Sequence, residues 1–129
     1  MTSLTFHMAR SLEDHFKTLP GFPHLNILVS QLCHDANVSP WLRLAENLDV
    51  EVKRLNFKTE SCTIDQSDFD RKLDDKTMLV CLGLASNACG TINPVKKMIK
   101  YVLNAKCGPN SFYDSIIYSY SNIIYSNLI

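Results

Sequence analysis

Two short runs, LNILVS at residues 25–30 and MLVCLGLAS at residues 78–86, are almost wholly apolar, with too little polar alternation for a sheet face open to water. Strands of that kind are covered on both faces, as in a parallel sheet flanked by helices. The segments between them fit. Residues 2 to 17 read as a helix, with Thr2 and Ser3 able to cap it and Leu4, Met8, Leu12 and Phe16 recurring at helical spacing. The breaker cluster LPGFP ends it. From Pro40, PWLRLAENLD is helical, with proline in the first turn and Trp41, Leu44 and Leu48 on one side. VEVKRLNF alternates with period two and reads as a strand, residues 56 to 64 as loop. DQSDFDRKLDDKT places Ile64, Phe69 and Leu73 on a short acidic helix, and NPVKKMIKYVLNAK is amphipathic through Val95, Met98, Ile99 and Val102.

Strands and helices in this alternation predict α/β layering with mostly parallel strands and right-handed crossovers. Ligands of such sheets bind at the carboxyl ends of the strands. Here that edge carries QLCHDAN after the first strand and SNACGTINP after the third.

A length of 129 residues allows one domain or a piece of one. Thirteen basic and thirteen acidic residues balance, so no net field draws in nucleic acid or an anionic membrane. No window reaches the roughly 18 apolar residues of a membrane span, and the start lacks a secretory pattern, so the expected location is cytoplasmic. The five cysteines are scattered without a C-x-x-C pair, which points to neither a disulfide framework nor a zinc knuckle.

Cys33, His34 and Asp35 stand side by side in QLCHDANVSPW. Consecutive side chains diverge, so they do not make a nucleophilic triad, whose members converge from distant segments. A metal site would need further ligands, and His24 and Asp49 are the nearby candidates; no metal is expected. Taken alone, His34 reads as a loop histidine. In SNACGTINP, Gly90 reads as a turn residue in a special backbone conformation and Thr91 as a helix cap. The side-chain amide at Asn87 could instead donate to a ligand oxygen. MTSLTF, at a helix start, could hold a phosphate through N–H groups and hydroxyls, or be a plain cap.

Together these clusters resemble one family in order and spacing. The stretches MTSLTFHMARSL, LVSQLCHDANVSPWLRLAENLDVEVKRL and DRKLDDKTMLVCLGLASNACGTINPVKKMI look like an internal slice of the class V aminotransferases, pyridoxal-phosphate enzymes of fold type I. They look most like the cysteine desulfurase branch. The resemblance implies that residues 1–107 are part of the large domain of such an enzyme. It implies that His34 stacks on the pyridine ring of pyridoxal 5'-phosphate and Asn87 reaches its phenolic oxygen. Thr2 and Ser3 would contact the phosphate. In the family the substrate is an amino acid and the enzymes commonly pair as homodimers.

There are departures. The family usually has glutamate where this chain has Cys33, so Cys33 reads as incidental, and Cys89 sits where an apolar residue is typical. Neither the aspartate for the pyridine nitrogen nor an S-x-H-K element with the Schiff-base lysine occurs in the sequence. Lysine and aspartate supply covalent attachment and ring protonation, so the expected product is a marginally stable fragment, inactive alone. The alternative is a small non-catalytic α/β binding module. Residues 108–129, rich in Tyr, Ser and Ile, depart from the family pattern and read either as a terminal hairpin or, preferred on composition, as sequence foreign to the domain.

Overall fold

The computed structural model describes residues 2–86, 88–106, 116–120 and 123–127, with backbone alone for Thr2, Leu103, Ala105, Lys106 and the two segments after residue 115. Helix α1 (Thr2–Lys17) precedes strand β1 (Asn26–Ser30), a 3-10 turn (Asp35–Asn37) and helix α2 (Ser39–Leu48). Strand β2 (Glu51–Leu55), short strands β3 (Phe57–Lys58) and β4 (Thr63–Ile64), and helix α3 (Gln66–Lys72) follow. Strand β5 (Thr77–Cys81) and helix α4 (Val95–Lys106) complete the layered unit.

The sheet has the order β2-β1-β5, and both pairings are parallel. Every residue of β1 and β5 is buried, as their apolar runs predict. Ile27, Val29, Leu79 and Cys81 point to one face and meet Ala9 and Phe16 of α1 and Trp41, Leu44 and Leu48 of α2. Leu28, Val80 and Leu82 point to the other and meet Phe69 of α3 with Val95, Met98 and Val102 of α4. Each such side chain contributes about 1.5–3 kcal/mol on burial. The chain crosses from β1 to β2 over one face through α2, then back past β1 to β5 over the opposite face through α3. Crossovers of one hand that run in opposite directions require this.

Helix α2 buries Trp41, Leu44, Ala45 and Leu48, spaced i, i+3, i+4, i+7, and has proline in its first turn. It ends at Asp49, whose left-handed backbone (φ 53) lets its N–H reach back to Ala45 and Glu46 carbonyls. Asp65 starts α3 by accepting the N–H groups of Ser67 and Asp68 at 3.0 and 3.4 Å.

Some expectations are corrected. Leu4 is 56% exposed, and α1 instead buries Thr5, Ala9 and Phe16, with Leu12 partly covered. Those positions run i, i+4, i+7, i+11, which tracks 3.6 residues per turn better than a strict step of four. Residues 56 to 64 are not all loop, since β3 and β4 pair antiparallel; two-residue strands are too short for alternation to register. Ile64 lies in β4 and Leu73 at the end of α3, although both join the core beside Phe69. Strands β6 (Ile116–Tyr120) and β7 (Ile123–Asn127) form an antiparallel pair in a sheet of their own.

Candidate functional site

Strand β1 lies between β2 and β5, and the connections that leave β1 and β5 go to opposite faces, to α2 and to α4. A crevice opens at the carboxyl ends of strands where connections diverge in this way. The two loops that border it are residues 31–38 and 82–94. They touch: a Cβ placed on Gly83 would stand 3.4 Å from Cys33 Sγ and 3.6 Å from Cys33 Cα.

His34 opens the 3-10 turn in extended backbone (φ −65, ψ 145), and its Nδ1 accepts the Ala36 N–H at 3.2 Å. That bond fixes the ring and, in the neutral form, leaves the proton on Nε2. The imidazole is exposed at the sheet edge. Asp35 does not join it in a dyad but accepts the Ser39 hydroxyl at 2.6 Å, a local clasp on the start of α2. Asn37 points inward. Its Nδ2 donates to Cys33 Sγ at 3.7 Å and its Oδ1 accepts from Trp41 Nε1 at 3.4 Å. Cys81 at the end of β5 donates its S–H to the Asn37 carbonyl at 2.9 Å and stands 4.0 Å from Cys33 Sγ.

The second loop is organised by Asn93, which is buried. Its Nδ2 donates to the Gly83 carbonyl and its Oδ1 accepts the Ile64 N–H, both at 2.9 Å. One amide therefore ties the loop after β5 to the β3–β4 pair. Residue type alone did not single it out; its place in the TINP run ahead of α4 was the available signal. The turn above it closes through Gly90 N–H to Ser86 carbonyl at 2.9 Å, and Gly90 has φ +68, as its turn reading requires. Thr91 is not a helix cap. Helix α4 begins at Val95 behind Pro94, and the Thr91 hydroxyl donates to the Cys62 carbonyl at 2.7 Å.

Helix α1 brings its first turn to the same edge. Arg43 lies 5.6 Å over the Phe6 ring and Asn47 donates to Glu13, so α1 and α2 run in the same sense with their N-termini at one end, and α1 touches the 3-10 turn that His34 opens. Thr2 and Ser3, the latter exposed, begin that helix. Asn87 lies outside the described residues. His24 and Asp49 precede β1 and β2, at the far end of strands that span about 16 Å, and so cannot share a ligand with His34. Among the described residues no three His, Cys, Asp or Glu side chains converge as a metal site would require. No described helix is long and apolar enough to cross a membrane.

These residues fit a flat, phosphorylated ring. An exposed imidazole with a locked tautomer offers a stacking face, and the N-terminus of a 16-residue helix on the same edge suits an anion.

The family model for "Aminotransferase class-V" matches residues 7–108. A cysteine desulfurase of Pectobacterium atrosepticum is 39% identical over 77 residues, 60% of this chain and 19% of the relative. One from Yersinia pseudotuberculosis is 34% identical over 74 residues, 57% of this chain and 18% of the relative. Among solved structures, a NifS-like protein superposes with a TM-score of 0.73 at 17% identity, covering 95% of this chain and 30% of that one. The cysteine desulfurase of Thermococcus onnurineus NA1 gives 0.64 at 21% identity, covering 92% and 32%. Likeness at such identities speaks for the fold alone. The chain spans about a fifth of the length of the curated relatives it matches, and with four fifths of its own residues inside the family model it belongs to the class-V aminotransferases, a family of pyridoxal-phosphate enzymes.

Proposed function

We propose that residues 1–107 are the cofactor-stacking wall of a cysteine desulfurase-like, pyridoxal-phosphate-dependent enzyme. The observation that carries this reading is the exposed His34 ring, pinned through Nδ1 at the sheet edge that also receives the N-terminus of α1. His34 would cover one face of the pyridine ring. Thr2 and Ser3 would bind the phosphate, and Asn87 would donate to the phenolic oxygen. When bound, the cofactor supplies an electron sink for an amino-acid substrate. The chain's own contribution is to bind and orient. The lysine that attaches the cofactor and the aspartate that protonates its ring do not occur here in the family's motifs, so the chain is inactive alone. In the complete enzyme the substrate is an amino acid, the assembly a homodimer and the location the cytoplasm. Residues 108–129 are a Tyr-, Ser- and Ile-rich tail outside the family pattern, of which strand β6 touches β5.

The test uses pyridoxamine 5'-phosphate, which cannot condense with surface lysines, in equilibrium dialysis against the purified chain. Weak saturable binding is expected, reduced about three- to tenfold by His34→Ala, the range of an aromatic stacking contact, and unchanged by Cys33→Ala. Binding that His34→Ala leaves intact would refute the stacking role. No binding to the folded chain would refute the wall and favour a module without cofactor.

A further inference from the structure

We propose that Cys33 and Cys81 form a redox-active dithiol, a modification site that takes a low-molecular-weight disulfide and closes to an intramolecular Cys33–Cys81 disulfide. In the sheet, Val29 of β1 stands opposite Cys81 of β5. The chain leaving β1 then folds back over β5, which sets the two sulfurs 4.0 Å apart. Closure needs an approach to about 2.05 Å. Gly83 lies against Cys33, where a Cβ would be in ordinary contact with its sulfur at 3.4 Å.

The two thiols are unlike. Cys33 is half-buried and receives the Asn37 amide N–H; Cys81 is 2% exposed and donates to the Asn37 carbonyl. Turned from the Asn37 carbonyl toward Cys33, the Cys81 S–H draws the Cys33 thiol below its ordinary value, opposed by burial and helped by Asn37 and Ser30. Cys33 and burial together push Cys81 well up. Cys33, the sulfur that solvent can reach, is the attacking one, and the buried Cys81 the resolving one.

The Cys33 thiolate attacks one sulfur of a disulfide R–S–S–R, forming a mixed disulfide and expelling RS⁻, which takes up a proton. With Cys33 capped, the charge that held up Cys81 is gone. Cys81 then loses its proton, attacks the Cys33 sulfur and expels the second RS⁻. Two protein thiols are oxidised by two electrons and one R–S–S–R is reduced to two RSH. Only Cys33 has to be reached from solvent. Closure removes the S–H donated to Asn37, the residue whose side chain holds Trp41 Nε1. The state of the pair is thus transmitted to the turn that carries His34, a consequence that rests on the proposed function, whereas the dithiol does not.

The test exposes the whole chain to glutathione disulfide, quenches with acid and maps the alkylated peptides. Cys33 linked to Cys81 is expected, forming at least roughly tenfold faster in the folded chain than in urea, a low floor for reacting groups held side by side. In Cys81→Ser, Cys33 should stop at the glutathione adduct. In Cys33→Ser, Cys81 should stay reduced. Trp41 emission, read on each variant before oxidation, verifies folding, and in the wild type it should shift as the link forms. If Cys33 and Cys81 remain alkylatable while Cys62 or Cys89 is oxidised, the proposal is overturned. Equal rates in urea would overturn it too, as would an adduct on Cys33 that persists with Cys81 present.

Discussion

The side-chain amide of Asn93 donates to the Gly83 carbonyl at 2.9 Å while its oxygen holds the Ile64 N–H, so one buried residue fastens the loop after β5 from both sides. Removing it strands two buried backbone groups. Asn93→Ala should cost about 2–6 kcal/mol, since each unsatisfied buried group costs about 1–3. Urea denaturation followed by Trp41 emission measures this, and a loss under about 1 kcal/mol would show that the loop closes without the amide.

Asp74 gives the fold a pH dependence. Burial works against its ionisation, but Lys53 Nζ at 2.5 Å, Asn26 Nδ2 at 2.9 Å and the Lys76 N–H more than compensate, holding the carboxyl at about 2 instead of 3.8. A depressed carboxyl contributes stability that is present above its unfolded value and lost as pH falls through its folded one. The loss should run from about pH 4 to about pH 2. With this side chain 36% exposed, solvent screening leaves about 1 kcal/mol of the effect. Asp74→Asn should be less stable than wild type by that amount at pH 6, and the two denaturation curves should meet near pH 2. A constant gap would assign the difference to shape.

Trp41 is the single tryptophan and is 1% exposed. Its emission should be blue-shifted in the folded chain and move red in one step with denaturant. Trp41→Ala should cost about 3–5 kcal/mol, as large-to-small changes of buried aromatics do. Trp41→Phe should cost less, losing chiefly volume and the 3.4 Å bond to Asn37. Far-UV circular dichroism follows both variants.

Gly90 and Gly83 separate backbone strain from crowding. A Cβ at Gly90 would meet nothing, but φ is +68, so Gly90→Ala should cost about 1–2 kcal/mol through the backbone alone. At Gly83 the Cβ would be in ordinary contact with Cys33. Gly83→Ala should cost less than Gly90→Ala in thermal denaturation; the reverse order would mean that contact with Cys33 outweighs strain.

Much of the layering was legible because it rests on local pattern. The apolar runs at β1 and β5 required cover on both faces, and the spacing of Trp41, Leu44 and Leu48 marked the buried side of α2. The rule that parallel sheets bind ligands at the carboxyl ends of their strands located the edge where His34 stands, through QLCHDAN after the first strand. Leu4 faces solvent, since a step of four drifts off a helix of 3.6 residues per turn. Thr91 caps no helix because a hydroxyl ahead of a helix caps it only if nothing nearer claims it, and the Cys62 carbonyl does.

From the sequence alone came the buried strands β1 and β5, the buried side of α2 and the family resemblance. Only the tertiary structure decided which loops meet. Cys33 and Cys81 are 48 residues apart, and neither pattern nor propensity relates them. Parallel pairing of β1 with β5 does so, because it aligns the carboxyl ends of two strands whose loops must then share one crevice. Asn93 belongs with them: its value lies in two partners, at Gly83 and Ile64, that a packed fold brings within reach of one amide.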